Sequence, residues 1–253
     1  MARQGRKLPR WAWQRRWKPG LRPRFHGKAT IRRRKRDLIR LRVRRLRAKG
    51  NALPPASVIP RWLKLAACAF IALLVPVYWL NYGPANFLWL SDLAWFATSA
   101  ALVFESPVLA GIAVGVLPLE LAWCVDLVLG GRLGLTGYMF DPARPLSLRG
   151  LSLFHVVLPP VMLWLLHRWG YDRRSLARQL PVLWVALGLT YALTSPADNI
   201  NWVFGPGTAP QYLIPPLAYL ALEMAVIPLV VLWPLDLLLR RLFPAPPGPA
   251  ALQ

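Results

Sequence analysis

Cysteine is almost missing from this chain: Cys68 and Cys124 are the only two in 253 residues. Both fall inside apolar runs, where a free thiol behaves as a small hydrophobe, so a disulfide-stapled scaffold is not expected. No zinc-type Cys/His spacing, phosphate-binding Walker loop, dinucleotide glycine fingerprint or GxSxG elbow occurs. Their absence is informative but not decisive, because membrane enzymes often scatter their active residues over several helices. Strict apolar/polar alternation is also lacking, which argues against an outer-membrane barrel. Acids are scarce too, ten Asp and Glu against 32 Lys and Arg.

What is present is apolar mass joined to concentrated positive charge. The chain is 56% hydrophobic and still carries a formal charge of +22. Residues 1 to 50 hold 21 of the 32 cations against Asp37 alone, leaving eleven cations and nine acids for the other 203 residues. The organisation expected is a basic tail over 1–57, a membrane domain over 58–243 and a Pro-rich end over 244–253. In the tail, Ile39, Val43 and Leu46 recur at helical spacing within a dense arginine run that includes Arg32, Arg33, Arg34, Lys35 and Arg36. Such a segment suits anionic lipid headgroups, at roughly 1 kcal/mol per cation near the surface. Nucleic-acid binding asks for the same charge but is the lesser reading, and a plain topogenic flank is the blandest.

Six apolar runs in the body approach the length needed to cross hydrocarbon: Trp62 to Leu80, Phe87 to Phe104, Val108 to Leu129, Leu151 to Leu166, Leu180 to Thr194 and Tyr212 to Leu235. Backbone in lipid must satisfy its own hydrogen bonds, so these are read as helices of an all-α polytopic bundle. Prolines at 76, 118, 159, 160, 215, 216, 228 and 234 predict kinks. The cations of the tail, of HRWGYDRRSLARQ and of Arg240-Arg241 fall on one side of an even number of spans. That side is expected to be cytoplasmic, with both termini there, in a cell (inner) membrane. No cleavable leader pattern precedes the first span, which is expected to be a retained anchor.

Ionisable groups in spans are costly and are functional candidates by default. His155, in LSLFHVVLPP, starts the fourth span; Asn86, Asp92 and Asp126 belong to the same outer third of the bundle, as do Asn199 and Asn201 in the last outer loop. Glu120 and Glu223 lie deeper. Glu120 and Asp126 differ by about 9 Å in height and about a third of a turn, so they need not share a partner.

One reading makes His155 a base oriented by Asp92 or Asp126, with Cys124 the first-choice nucleophile ahead of Ser91, Thr98 and Ser152, and with Asn199 and Asn201 as oxyanion or headgroup contacts. The substrate would be a membrane lipid or ester. A second reading runs protons or cations from Asp92 and Asp126 through Glu120 to Glu223, in a transporter or binding scaffold whose ligand also meets Asn86, Asn199 and Asn201. A third makes the chain a non-catalytic assembly partner. His155 as interhelical glue or as a ligand contact stays open beside these. No metal or other cofactor is expected.

The ordered motifs YGPANFLWLSD (82–92), CVDL (124–127), LTGYMFD (135–141), LRGLSLFH (148–155), RWGYDRR (168–174) and NINWVFG (199–205) resemble a family of bacterial integral membrane proteins known simply as membrane-associated. The likeness covers roughly residues 75 to 243 and implies the six-helix fold without an activity. More remotely, the layout resembles YwaF-like proteins and the intramembrane hydrolases and acyltransferases of the androgen-induced type. That second likeness implies a histidine working with a Thr or Cys. The basic tail is not part of the family pattern.

Overall fold

The computed structural model describes residues 59–246, Thr208 excepted. All of them belong to the compact unit Leu53–Gln253. The expected headgroup-binding run Arg32 to Arg36 and most of the Pro-rich end lie outside the described residues.

The described chain is all-helical, with no strand among its residues. Six helices follow in order: α1 Arg61–Tyr82, α2 Leu90–Phe104, α3 Pro107–Val128, α4 Leu146–Trp169, α5 Ser175–Leu193 and α6 Pro216–Leu242. Five are long and apolar enough to cross a membrane, and α2 is the shorter apolar sixth. Large apolar side chains cover the outside, among them Trp62, Leu80, Val128, Leu193 and Leu229, whereas Asp92, Thr98, Glu120, Asp126, Thr190, Asn201 and Asp236 are buried. A water-soluble fold would place these groups the other way round. The arrangement is that of a multi-pass integral membrane protein.

Two boundaries differ from the sequence expectation. The second span, expected from Phe87, starts as a helix only at Leu90, after a 3₁₀ turn over Pro84–Leu88. The cause is tertiary: the Leu90 N–H donates to Asn201 Oδ1 at 2.9 Å, so an asparagine 111 residues away caps the helix. The sixth span, expected from Tyr212, starts at Pro216. The residue before a proline avoids helical backbone, and Gln211 Oε1 instead accepts from the N–H groups of Leu213 and Ile214.

Pro118 and Pro228 coincide with irregular turns, and side chains meet the carbonyls that Pro159 and Pro228 free. Pro118 follows a 3₁₀ turn over Val114–Val116 within α3. Pro228 lies in a π-helical segment, Ile227–Leu232, of α6. Lacking an N–H, it cannot serve Met224 O four residues back, and the Trp184 indole donates there at 2.9 Å. In α4, Pro159 likewise abandons His155 O, towards which Cys124 Sγ donates at 3.5 Å. Pro215 and Pro216 start α6 and produce no kink.

The main core packs α1, α2, α3, α4 and the end of α6 around Leu74, Trp95, Leu117, Leu158, Met162 and Leu235. Phe70 meets Trp95 edge-on at 5.0 Å, and Trp95 lies 5.5 Å from Phe154. This aromatic wedge packs against α4 at Phe154, next to His155.

Candidate functional site

Glu120, Trp123 and Cys124 are spaced i, i+3 and i+4 on α3, which puts them on one helical face. That face meets α4 at His155. His155 Nδ1 donates to Glu120 Oε2 at 2.7 Å. The imidazole is stacked between Trp123, at 4.4 Å, and the neighbouring Phe154, at 4.1 Å. Glu120 retains 1% side-chain exposure and His155 12%. The carboxylate therefore fixes the tautomer, and the two aromatic planes fix the ring.

The expected orienting partners were Asp92 or Asp126; the partner is Glu120. Asp126 is wholly engaged by the loop that follows its own helix. It accepts from the N–H groups of Leu133 at 2.6 Å, Leu135 at 2.8 Å and Thr136 at 2.7 Å, and from Thr136 Oγ1 at 2.9 Å. Six residues after Glu120, it faces another way, as helical geometry requires.

Asp92 is buried at the start of α2 and within electrostatic reach of Glu120. Asn86 Nδ2 donates to its Oδ2 at 3.3 Å, while its Oδ1 is buried without a partner. Tyr78 shares a 2.9 Å hydrogen bond with Ser152, and both Tyr78 and Tyr138 lie within electrostatic reach of Asp92. Ser152 also donates to Leu148 O at 3.2 Å.

The other candidates are placed elsewhere. Cys124 directs its thiol to the backbone carbonyl of His155 and not to the ring. Asn199 Nδ2 reaches the carbonyls of Gly205, Gly207 and Ala209, and its Oδ1 accepts from Phe204 N–H. Asn201 Nδ2 donates to Leu88 O at 2.8 Å and to Thr190 Oγ1 at 3.0 Å while its Oδ1 caps α2. Neither amide has a donor left for an oxyanion. Both residues hold positive φ, 38° and 55°, and Trp202 follows at 65°. Such strain persists because the bonds around it over-determine the loop. Glu223 is on α6 with Oε2 buried and unpartnered, and no recorded contact joins it to Glu120 or Asp92.

Sequence reasoning reached His155 and Glu120 separately but did not join them. The available signal was the Glu120, Trp123, Cys124 stripe facing a helix whose Pro159 leaves a carbonyl open. It also passed over Tyr78 and Tyr138. Among the described residues no group of three or more His, Cys, Asp or Glu could hold a metal ion. Compared with family models, curated proteins and solved structures, the chain matches none.

Proposed function

We propose that this integral membrane protein is an intramembrane acid–base enzyme that cleaves or transfers an ester-linked acyl group of a lipid, with His155 as general base and Glu120 orienting it. The observation that carries the reading is the 2.7 Å Glu120–His155 pair. Its ring is clamped on both faces, and its Nε2 makes no hydrogen bond among the described residues. A base needs that combination: one nitrogen fixed, the other open. Because Cys124 is turned to a carbonyl, the attacking group is water or a substrate hydroxyl. His155 takes its proton as it adds to the ester carbonyl, and returns that proton to the departing alkoxide. Glu120 stabilises the imidazolium in between.

The test is lipid turnover by the full chain in nanodiscs made from bacterial polar lipid extract, followed by mass spectrometry. Wild type is expected to deplete one ester lipid, and Glu120→Gln or His155→Asn to slow this by about 10²-fold or more while Cys124→Ser turns over normally. Full turnover in His155→Asn ends the proposal.

A second reading, proton-coupled transport, is favoured by the unpartnered carboxylate oxygens of Asp92 and Glu223. Proton flux in proteoliposomes that Glu120→Gln abolishes, with no lipid consumed, selects it. An inner-membrane location with both termini cytoplasmic is supported by Arg168, Arg173, Arg174, Arg178, Arg240 and Arg241, which cluster at the α4–α5 turn and the end of α6. Reporter fusions at both termini check it.

A further inference from the structure

Beside the Asp92 end of the bundle, where α1 finishes and α4 begins, two arginines lack an acid. Arg144 Nη1 donates to Tyr82 Oη at 3.3 Å, and its guanidinium lies 5.8 Å from the Tyr82 ring and 5.7 Å from the Tyr138 ring. Arg149 Nη1 donates to Met139 O at 3.1 Å, and its Nε is buried without a partner. The recorded ion pairs of the described residues are Lys64–Glu105, Glu120–His155, Asp172–Arg178 and Asp236–Arg240, so neither arginine has a carboxylate within salt-bridge range.

Both are half-buried. They contact consecutive residues, Arg144 the Tyr138 ring and Arg149 the Met139 carbonyl. Arg149 precedes His155 by six residues on the same span, with Ser152 between them bonded to Tyr78. Tyr138 meets Arg144, with its ring 5.7 Å from the guanidinium.

A guanidinium held on aromatic faces, as Arg144 is, and a second with an unspent N–H donor, as Arg149 is, suit a planar or tetrahedral oxyanion. We infer that Arg144 and Arg149 bind the phosphate of an anionic phospholipid headgroup, so that the ester presented to His155 belongs to a glycerophospholipid. This rests on the acid–base reading of His155 for its substrate role. The chemistry recognised is a phosphate monoester or diester, whether lipid-borne or free.

The experiment uses the full chain in a non-ionic detergent with three soluble probes: dihexanoyl phosphatidylglycerol, dihexanoyl phosphatidylcholine and inorganic phosphate. Binding is read by thermophoresis. Wild type is expected to prefer phosphatidylglycerol to phosphatidylcholine by about fivefold or more, and to lose affinity as salt rises. In the Arg144→Gln/Arg149→Gln variant the phosphatidylglycerol Kd is expected to rise about tenfold or more, and in Arg144→Lys by only a few fold, since charge survives but the fork does not. Arg144→Lys also carries the test if the double variant does not fold. Arginine-dependent binding of inorganic phosphate as tight as that of the lipid would assign the site to a free anion and overturn the headgroup. An unchanged Kd in the double variant, or equal affinity for the two lipids, would overturn the inference. His155→Asn separates the two proposals: it is expected to bind phosphatidylglycerol normally while turning nothing over. Arginine-dependent binding with no turnover even in wild type would sink the enzyme and leave the anion site standing.

Discussion

Glu120 and Asp126 are two carboxylates on one helix, and they live in opposite conditions. Asp126 is saturated, with four donors from its own loop closing on it. Asn199 and Asn201 are saturated in the same way, each tying irregular backbone that would otherwise leave carbonyls and N–H groups bare in an apolar setting. The Glu120–His155–Asp92 cluster is open: Asp92 Oδ1 is orphaned, the second imidazole nitrogen is unbonded, and Asn86 makes one long contact of 3.3 Å. Buried polar groups that satisfy each other build structure. Those left with spare capacity are the ones able to meet a substrate.

The sharpest way to break that contrast is to neutralise each carboxylate in turn. Asp126→Ala strands four donors and is expected to cost about 3–5 kcal/mol, seen as a collapse of thermal stability in detergent. Glu120→Gln preserves shape and one hydrogen-bonding group to His155, so its cost is expected below about 1 kcal/mol despite the loss of function proposed above. Equal destabilisation by the two would erase the distinction.

Next comes Asn201→Ala, expected to cost about 2–3 kcal/mol because it uncaps α2 and frees Leu88 O. Hydrogen exchange should accelerate at Leu90 and its neighbours and stay slow in α4. Cys124→Ala removes the donor to His155 O and is expected to cost about 1 kcal/mol, whereas Cys124→Ser keeps a donor and is near neutral. A Ser variant as unstable as the Ala variant would show that volume, and not the hydrogen bond, is what Cys124 supplies.

The smallest effect belongs to the loop between α4 and α5. Partial burial works to raise the Asp172 carboxyl, but the Arg174 N–H and the Arg178 guanidinium, the latter at 2.7 Å, outweigh it and hold it below the ordinary carboxylate range. A carboxyl depressed in the folded state contributes stability that is present above the unfolded value, about 3.9, and is lost as pH falls through the folded value. Asp172→Asn should therefore be slightly less stable than wild type near neutrality, and its stability should decline slightly less steeply below pH of about 4, so that the difference closes in acid.

Much of this was legible from local chemistry. Unbroken apolar runs reveal membrane helices because lipid imposes a length and a self-satisfied backbone, and cation clusters mark the ends of those helices. Of the prolines, Pro118 and Pro228 coincide with irregular turns, whereas Pro215 and Pro216 open a helix. The onset of α2 was misplaced because apolar content continues through Phe87 and Leu88, while the cap that decides it comes from Asn201 in a distant loop. The site residues were recognised by the cost of burying them, a property of each residue alone.

Pairing is a different kind of property. Composition and periodicity determined that this is a bundle of membrane helices carrying costly polar groups inside. Which of those groups spend their hydrogen bonds on the fold, and which keep some in reserve, was decided by how α3 and α4 rotate against each other and how the loops fold back. A carboxylate's partners depend on helix phase and interhelical contact, and neither is written in the residues flanking it.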